Sequence, residues 1–354
     1  MVIVHQCWVL TVLIFGIIYP TSCTAYFGLT LSKRLPLDRL TADCKGMRLT
    51  NKQRKMCYRD SGMADTLINA IRLSTMECTS QFKNERWNCS ITHEHHRLNL
   101  LKTALKETSF IYAVSSAGLT HAIAQSCSSG ELDRCSCDAN SFDMDINKEA
   151  WKWGGCGDNL KYSVNFVKEF LKAQKGGEKR YQDYRAKVDS HNTVLGTRVV
   201  RKRMQKICKC HGVSGSCTTQ TCWRQLSPFH EIGRDLKNKY ENAMRVAMDN
   251  TANAIDQSLR VRRRERRPPP PVADNNDMVF MDHSPDFCRR GQYSYGTGGR
   301  ICNKSSNCDS ICCGRGYNIR NNIKITACNC RFNWCCDVIC SKCTEREEVY
   351  SCKS

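Results

Sequence analysis

Beyond its N-terminal leader the chain has no run of about 18 uncharged apolar residues, the length a membrane-spanning helix needs. That argues against a later anchor helix and predicts a mature chain that dissolves in water. Acidic residues are scarce beside basic ones, 34 against 54, for a formal net charge of +20. Proline is scarce too, and half of it sits in one tetrad, Pro268–Pro271. The last stretch of about 70 residues has few apolar side chains apart from cysteine, too few for stability from a hydrophobic core alone.

Cysteine is what the chain has in excess, 26 of 354 residues. An apolar run from Cys7 to Tyr19 has the length of a signal-peptide core, and the small residues Thr21 to Ala25 follow it. Residues 1–25 therefore read as a signal peptide, removed on secretion. It takes Cys7 and Cys23 with it and leaves an even set, which fits an oxidising compartment and a disulfide framework. The sequons Asn88-Cys89-Ser90 and Asn303-Lys304-Ser305 are candidate glycosylation sites at Asn88 and Asn303. Outside the cell, so basic a chain is expected to meet sulfated glycosaminoglycans or anionic membrane surface, not nucleic acid.

The remaining cysteines fall in two equal groups, Cys44–Cys222 and Cys288–Cys352. Between them lies Arg260-Val-Arg-Arg-Arg-Glu-Arg-Arg267 followed by the proline tetrad, a segment with nothing to bury. The expected organisation is a helical domain over 26–249, a linker over 250–280 and a cysteine-rich domain over 281–354. Arg260–Arg263 and Arg264–Arg267 resemble dibasic convertase sites. A cut there is expected to separate two halves that share no bridge, so an intact linker is the preferred reading.

Apolar spacing over Leu98, Leu101, Leu105, Tyr112, Leu119 and Ile123 predicts one long helix from Leu98 to Ser126 with a single buried face. Val164 to Leu171 predicts another, ending at Gly176-Gly177. Two more are expected over Val188–Ile207 and Phe229–Met248. The fold class is α+β: a helical N-terminal domain carrying a stapled hairpin, and a small C-terminal β-hairpin domain.

In the C-terminal part, Cys328 with Cys343, Cys330 with Cys340 and Cys335 with Cys336 have nearly constant position sums. That is the signature of an antiparallel finger laced along its length, over 328–343, with Cys335-Cys336 at the tip. Adjacent α-carbons lie about 3.8 Å apart, below the usual disulfide span of roughly 4.4–6.8 Å. The spacing leaves open that each of these two pairs elsewhere.

A second candidate finger is Cys208–Cys222. Nesting Cys208–Cys222 around Cys210–Cys217 closes a loop holding Val213, Ser214 and two glycines that permit tight turns. An exposed serine suggests a hydrolase, but Gly212-Val-Ser-Gly-Ser216 ends in Ser where a nucleophile elbow needs Gly. No carboxylate is near to orient His211 either. By composition alone the loop is a good turn former. Zinc is the other alternative, at Cys340-Ser-Lys-Cys343 or His93-Glu-His-His96. The adjacent cysteine pairs suit tetrahedral metal poorly, and the histidines are expected in a solvated loop.

The motifs Glu85-Arg-Trp-Asn-Cys89, Lys106-Glu-Thr-Ser-Phe-Ile-Tyr-Ala-Val-Ser-Ser-Ala-Gly118, Trp153-Gly-Gly-Cys156, Cys208–Cys217 and Phe332-Asn-Trp-Cys-Cys336 together resemble the Wnt family from Cys44 to Cys352. Trp223–His230 and Cys343–Cys352 look most like its ninth subfamily. The resemblance implies a secreted signalling ligand of developmental patterning, found in the extracellular space and matrix. It implies no enzyme activity and no cofactor. Palmitoleate would be esterified to Ser214 by a membrane-bound O-acyltransferase, and a carrier would accompany the lipid through secretion.

The resemblance also implies a grip on the Frizzled cysteine-rich domain by Val213 and acylated Ser214 on one finger. Phe332, Trp334, Cys335, Cys336 and Val338 would make the other. A low-density-lipoprotein-receptor-related co-receptor and heparan sulfate are the further expected partners. The implied remaining bridges are Cys78–Cys89, Cys127–Cys135, Cys137–Cys156, Cys288–Cys313, Cys302–Cys308 and Cys312–Cys352, with Cys44–Cys57 left over.

Overall fold

The structure, a computed structural model, describes residues 43–138 other than 46 and 48, 151–174, 184–247, 260–261 and 274–354. The leader at 1–25, the Gly176-Gly177 helix end and the run Arg262–Pro271 lie outside these residues. Among the described residues no helix is long and apolar enough to cross a membrane.

The N-terminal part is built on helices α1 (Asn51–Cys57), α2 (Met63–Gln81), α3 (Glu94–Leu100) and α4 (Lys106–Ser128). Strand β1 (Trp151–Gly154) follows, then α5 (Leu160–Gln174) and α6 (Tyr184–Lys202). Next come β2 (Met204–Cys210), β3 (Thr219–Leu226), α7 (Phe229–Glu241) and the short strands β4 (Met244–Ala247) and β5 (Arg260–Val261). The remainder holds β6 (Val279–Phe280), β7 (Ile301–Cys302), α8 (Cys308–Ile311) and the long pair β8 (Tyr317–Asn333) and β9 (Asp337–Cys352). The expected α+β class is what the fold shows.

Helix α4 is the axis of the core. Helices α2, α5, α6 and α7 all pack on it, so it is buried almost all round and not along one face. Its small polar residues make this possible. Ser109 Oγ donates to the Val279 carbonyl at 2.7 Å, Ser116 Oγ to that of Thr193 at 2.8 Å, and Thr120 Oγ1 to that of Ser116 at 2.8 Å. These three buried hydroxyls thus have acceptors, as burial requires.

The expected single helix from Leu98 to Ser126 is two helices. Leu105 is extended, and the break at Leu101–Leu105 receives the C-terminal part of the chain. The Ala104 N–H donates to Asp282 Oδ2 at 2.7 Å, and the Ala104 carbonyl accepts from the N–H groups of Met281 and Asp282. The two later helices also end earlier than expected, and α6 begins earlier too, at Tyr184. They stop at Lys202 and Glu241, and the apolar residues that extended the pattern, Ile207 and Val246, lie in strands. Their strand partners, Trp223 across from Ile207 and Phe280 and Val261 near Val246, lie elsewhere in the chain.

Among the described residues there are ten disulfides, and none joins the two cysteine groups: Cys44–Cys57, Cys78–Cys89, Cys127–Cys135, Cys208–Cys222 and Cys210–Cys217 in the first. The second holds Cys288–Cys313, Cys302–Cys308, Cys312–Cys352, Cys328–Cys343 and Cys330–Cys340. Yet the halves are not free of each other. Met278 and Phe287 belong to the main core, Val279 pairs with Asn192 of α6 through both its N–H and its carbonyl, and Arg300 donates to the carbonyls of Lys83, Glu85 and Arg86. A cut in the linker would therefore leave the C-terminal part docked, which corrects the expectation that cleavage separates the halves.

Glu107 lies in this junction. It is buried, and it accepts from Tyr240 Oη at 2.8 Å and from Ser284 Oγ at 2.5 Å. Burial pushes its carboxyl above the ordinary 4.5, and the two donors pull it part of the way back. Burial likewise keeps the Tyr240 hydroxyl protonated, so it serves as a donor. A carboxyl whose folded pKa exceeds its unfolded one binds protons more tightly when folded. Its contribution is fully present below the unfolded value and is lost as pH rises through the folded one. Urea denaturation from pH 4.5 upward should show wild type losing stability relative to Glu107→Gln as pH rises. A difference between the two that does not change with pH would refute this.

Candidate functional site

The first finger is the β2–β3 hairpin, with β1 alongside β3 in parallel. Its root is fixed to the helical body. The Arg203 guanidinium meets the Asp235 carboxylate through two hydrogen bonds of 2.6 Å and holds it below the usual carboxylate range. Asp158 accepts from the Leu226 N–H at 2.7 Å and from Ser128 Oγ at 2.6 Å. Charged, bidentate contacts of this kind are among the stronger hydrogen bonds and fix direction.

From that root the strands run outward, with Cys208 opposite Cys222 and both bonded. Cys210–Cys217 then closes the loop, whose backbone turns on itself. The Gly212 N–H donates to the Ser216 carbonyl at 2.8 Å, and the N–H groups of Gly215 and Ser216 reach back to Gly212 and Val213. Gly212 is needed there, because a Cβ would lie 2.5 Å from the Ser216 carbonyl oxygen.

Ser214 takes the left-handed conformation, φ 56° and ψ 27°, at the apex. That backbone is unfavourable for a residue with a Cβ, and here the stapled loop imposes it. Val213 is 89 % exposed and Ser214 is exposed beside it. The His211 ring pairs with Thr221 Oγ1 at 3.0 Å, and among the described residues no side chain hydrogen-bonds the Ser214 hydroxyl. Among the described residues, the arrangement presents a hydroxyl to solvent with no hydrogen-bonded base to activate it. It suits a site of covalent attachment and lacks the groups of a nucleophile.

The second finger is much longer than the expected 328–343. Strands β8 and β9 pair from Tyr317–Cys352 at the base to Asn333–Asp337 at the tip. The register shifts between Cys328 and Arg331, where Asn329 is left-handed, so Cys328 stands opposite Ser341 and bonds diagonally to Cys343. At the tip Phe332 is 71 %, Trp334 93 % and Val338 62 % exposed. Ile339, equally exposed, extends this apolar tip. Sequence reading missed it, although Val338-Ile339 is an apolar pair beside the aromatics.

Two expected cysteine pairs stand as thiols. Cys335 and Cys336, both with positive φ, have sulfurs 3.6 Å apart without a bond; adjacent α-carbons are too close for the usual span. Cys137 and Cys156 are also unbonded. The Cys156 thiol donates to the Ser128 carbonyl instead. Lost hydration, and then its hydrogen bond with Cys137, pushes it up to about 11.

Of the two sequons, Asn303 is exposed and its Oδ1 accepts from the N–H and hydroxyl of Ser305. Asn88 is half-buried. The zinc alternatives meet other fates. Cys340 and Cys343 are both in disulfides. The expected solvated loop holds only in part: His93, just before α3, and His95 on it are exposed, whereas His96 on α3 is buried with its ring against Tyr295, and burial lowers its pKa. The other sulfur cluster, Cys302, Cys312 and Cys352, is made of disulfide atoms.

Comparison with known proteins gives a consistent result. The model of the wnt family matches residues 45–353. The chain is 48 % identical to chicken Protein Wnt-9a over 347 residues, covering 94 % of this chain and 96 % of the relative. It is 42 % identical to human Protein Wnt-9b over 348 residues, covering 94 % and 95 %. Among solved structures, human WLS in complex with WNT8A contains a chain that aligns with a TM-score of 0.58 at 34 % identity, over 82 % of this chain and 93 % of that one.

Proposed function

The chain belongs to the Wnt family, and we propose that it is a lipid-modified ligand whose two fingers grip the cysteine-rich domain of a Frizzled receptor. Members of this family are secreted signalling ligands and not enzymes. The observation that carries the reading is Ser214, an exposed and unpartnered hydroxyl at the apex of a doubly stapled loop. A palmitoleoyl ester there supplies the apolar area that the small finger lacks. At about 0.8 kcal/mol per buried methylene, its chain contributes on the order of 10 kcal/mol at most.

The exposed apolar tip of the second finger is the opposing contact. It has no core behind it, so burial against a partner is its remaining use. An O-acyltransferase and a carrier in secretion, a low-density-lipoprotein-receptor-related co-receptor and heparan sulfate complete the proposed partners. The solved relative's complex with WLS supports the carrier, and the net charge of +20 supports the polysaccharide.

Mass spectrometry of the linked Cys210–Cys217 peptide from secreted protein tests the reading. A monounsaturated sixteen-carbon acyl mass on Ser214 is expected, and an unmodified peptide overturns it. Independently, Trp334→Ala should weaken binding to the Frizzled domain by roughly 10- to 100-fold, the range of an aromatic hot spot. The melting temperature should not move, because the side chain is almost wholly exposed. Unchanged affinity would remove the second finger from the interface.

A further inference from the structure

The two fingers differ in charge. No acidic residue occurs between Asp189 and Glu231, a stretch that contains the whole acyl finger. The second finger, by contrast, carries Asp337 at its tip and Glu345, Glu347 and Glu348 along β9. On the first finger, Lys206, Lys209 and Arg224 are all exposed, and none has an acidic partner among the described residues. Lys206 stands directly across from Arg224, and Lys209 across from Thr221. Side chains alternate between faces along a strand, so Lys206 and Arg224 share one face and Lys209 takes the other. The cations form a collar around the stalk and not a stripe.

We infer that this collar is a docking surface for an anionic phospholipid membrane, acting together with the acyl chain. The inference rests on the reading of Ser214 as acylated. One acyl chain gives only marginal, reversible membrane binding, and stable anchoring takes a second signal such as a basic cluster. Here the second signal lies on the same hairpin, and among the described residues no carboxylate forms an ion pair with it. At about 3.3 Å per residue, Lys209 is at most about 16 Å and Lys206 about 26 Å along the chain from Ser214. The folded-back loop shortens both distances.

When the fingertip enters the headgroup layer, Lys209 meets it first, with Lys206 and Arg224 behind. A collar keeps a cation facing lipid whatever the roll of the finger. A linear polyanion lying along one face would meet only one of the two sets. The surface potential of an anionic membrane falls off within about 8 Å, so Lys209 should matter more than Lys206.

Co-sedimentation of the full-length secreted protein tests this, with vesicles of phosphatidylcholine alone or with about one third phosphatidylserine. Wild type should partition at least about 10-fold more strongly onto the anionic vesicles. The triple variant Lys206→Gln, Lys209→Gln, Arg224→Gln should lose most of that preference, with its acyl mass intact. Ser214→Ala should bind both more weakly while keeping its preference for the anionic ones. The collar is overturned if wild type shows no preference or the triple variant retains it. Lost heparin retention with the lipid preference intact would assign the surface to a sulfated polysaccharide and also overturn it. If Ser214→Ala changes nothing, the acylation reading has failed instead, because the collar's own readout is the ratio between vesicles.

Discussion

Ser214→Ala should remove the acyl mass from the Cys210–Cys217 peptide and raise the dissociation constant for the Frizzled cysteine-rich domain by at least about 100-fold. The estimate begins with the lipid's upper bound of about 10 kcal/mol. Ordering a flexible chain and losing rigid-body freedom on association take back much of it. If about 3 kcal/mol survives, the ratio is already about 100-fold. Folding should be spared, because Ser214 is exposed and its hydroxyl holds nothing in the loop. Alanine meets the same left-handed backbone as serine, so little local strain is added. Ser216→Ala is the matched control. Among the described residues its hydroxyl pairs with Thr218 Oγ1 alone, at 3.2 Å, and its loss should leave both the acyl mass and the affinity unchanged. Binding by Ser214→Ala within about 3-fold of wild type would sink the lipid-ligand reading.

The loop that carries this prediction was legible in the sequence because its constraints are local. Cysteines at 208, 210, 217 and 222 with glycines at 212 and 215 admit few closed geometries, and the structure uses the nested one. The second finger was legible only near its tip, where cysteine spacing reports register. Its lower half, from Tyr317 to Ile325 against Thr344 to Cys352, has no cysteine before the terminal Cys352 to mark it. Exposed Ile319, Ile323 and Ile325 there carry the alternation of a strand without burial, so a search for buried patterns passes over them. The break between α3 and α4 was illegible for another reason. Nothing in Leu101–Leu105 forbids helix, and the break exists to receive Met281 and Asp282 from the far half of the chain. The all-round burial of α4 was hidden as well, because its serines and threonines read as an exposed face until their acceptors in α6 and near Val279 are seen.

One residue on that same seam sets how the first finger is held. Gly196 lies inside α6, where glycine costs roughly 1 kcal/mol relative to alanine, so its presence needs a reason. A Cβ there would lie 2.0 Å from the Ala113 carbonyl oxygen, 2.2 Å from Ser116 Oγ and 2.8 Å from the Ala113 carbonyl carbon. Two of these three atoms are α4 backbone, which cannot rotate away, and Ser116 Oγ is bonded to the Thr193 carbonyl across the seam. Gly196→Ala must therefore part α4 from α6. Interiors are packed too densely to absorb such a shift locally, so overpacking should exceed the propensity gain and cost about 3 kcal/mol or more. At roughly 2–4 °C per kcal/mol the melting temperature should fall by about 10 °C. Gly130→Ala is the comparison. Its φ of 77° makes alanine strained, but nothing lies within 4 Å of the new Cβ, so only about 1 kcal/mol should be lost. A smaller drop for Gly196→Ala than for Gly130→Ala would show that the seam yields. The consequence reaches the finger because α6 ends one residue before Arg203, whose bond to Asp235 aims the hairpin. Any Gly196→Ala protein that is secreted should thus carry less acyl group per molecule, since the loop it offers for modification is no longer fixed against the body.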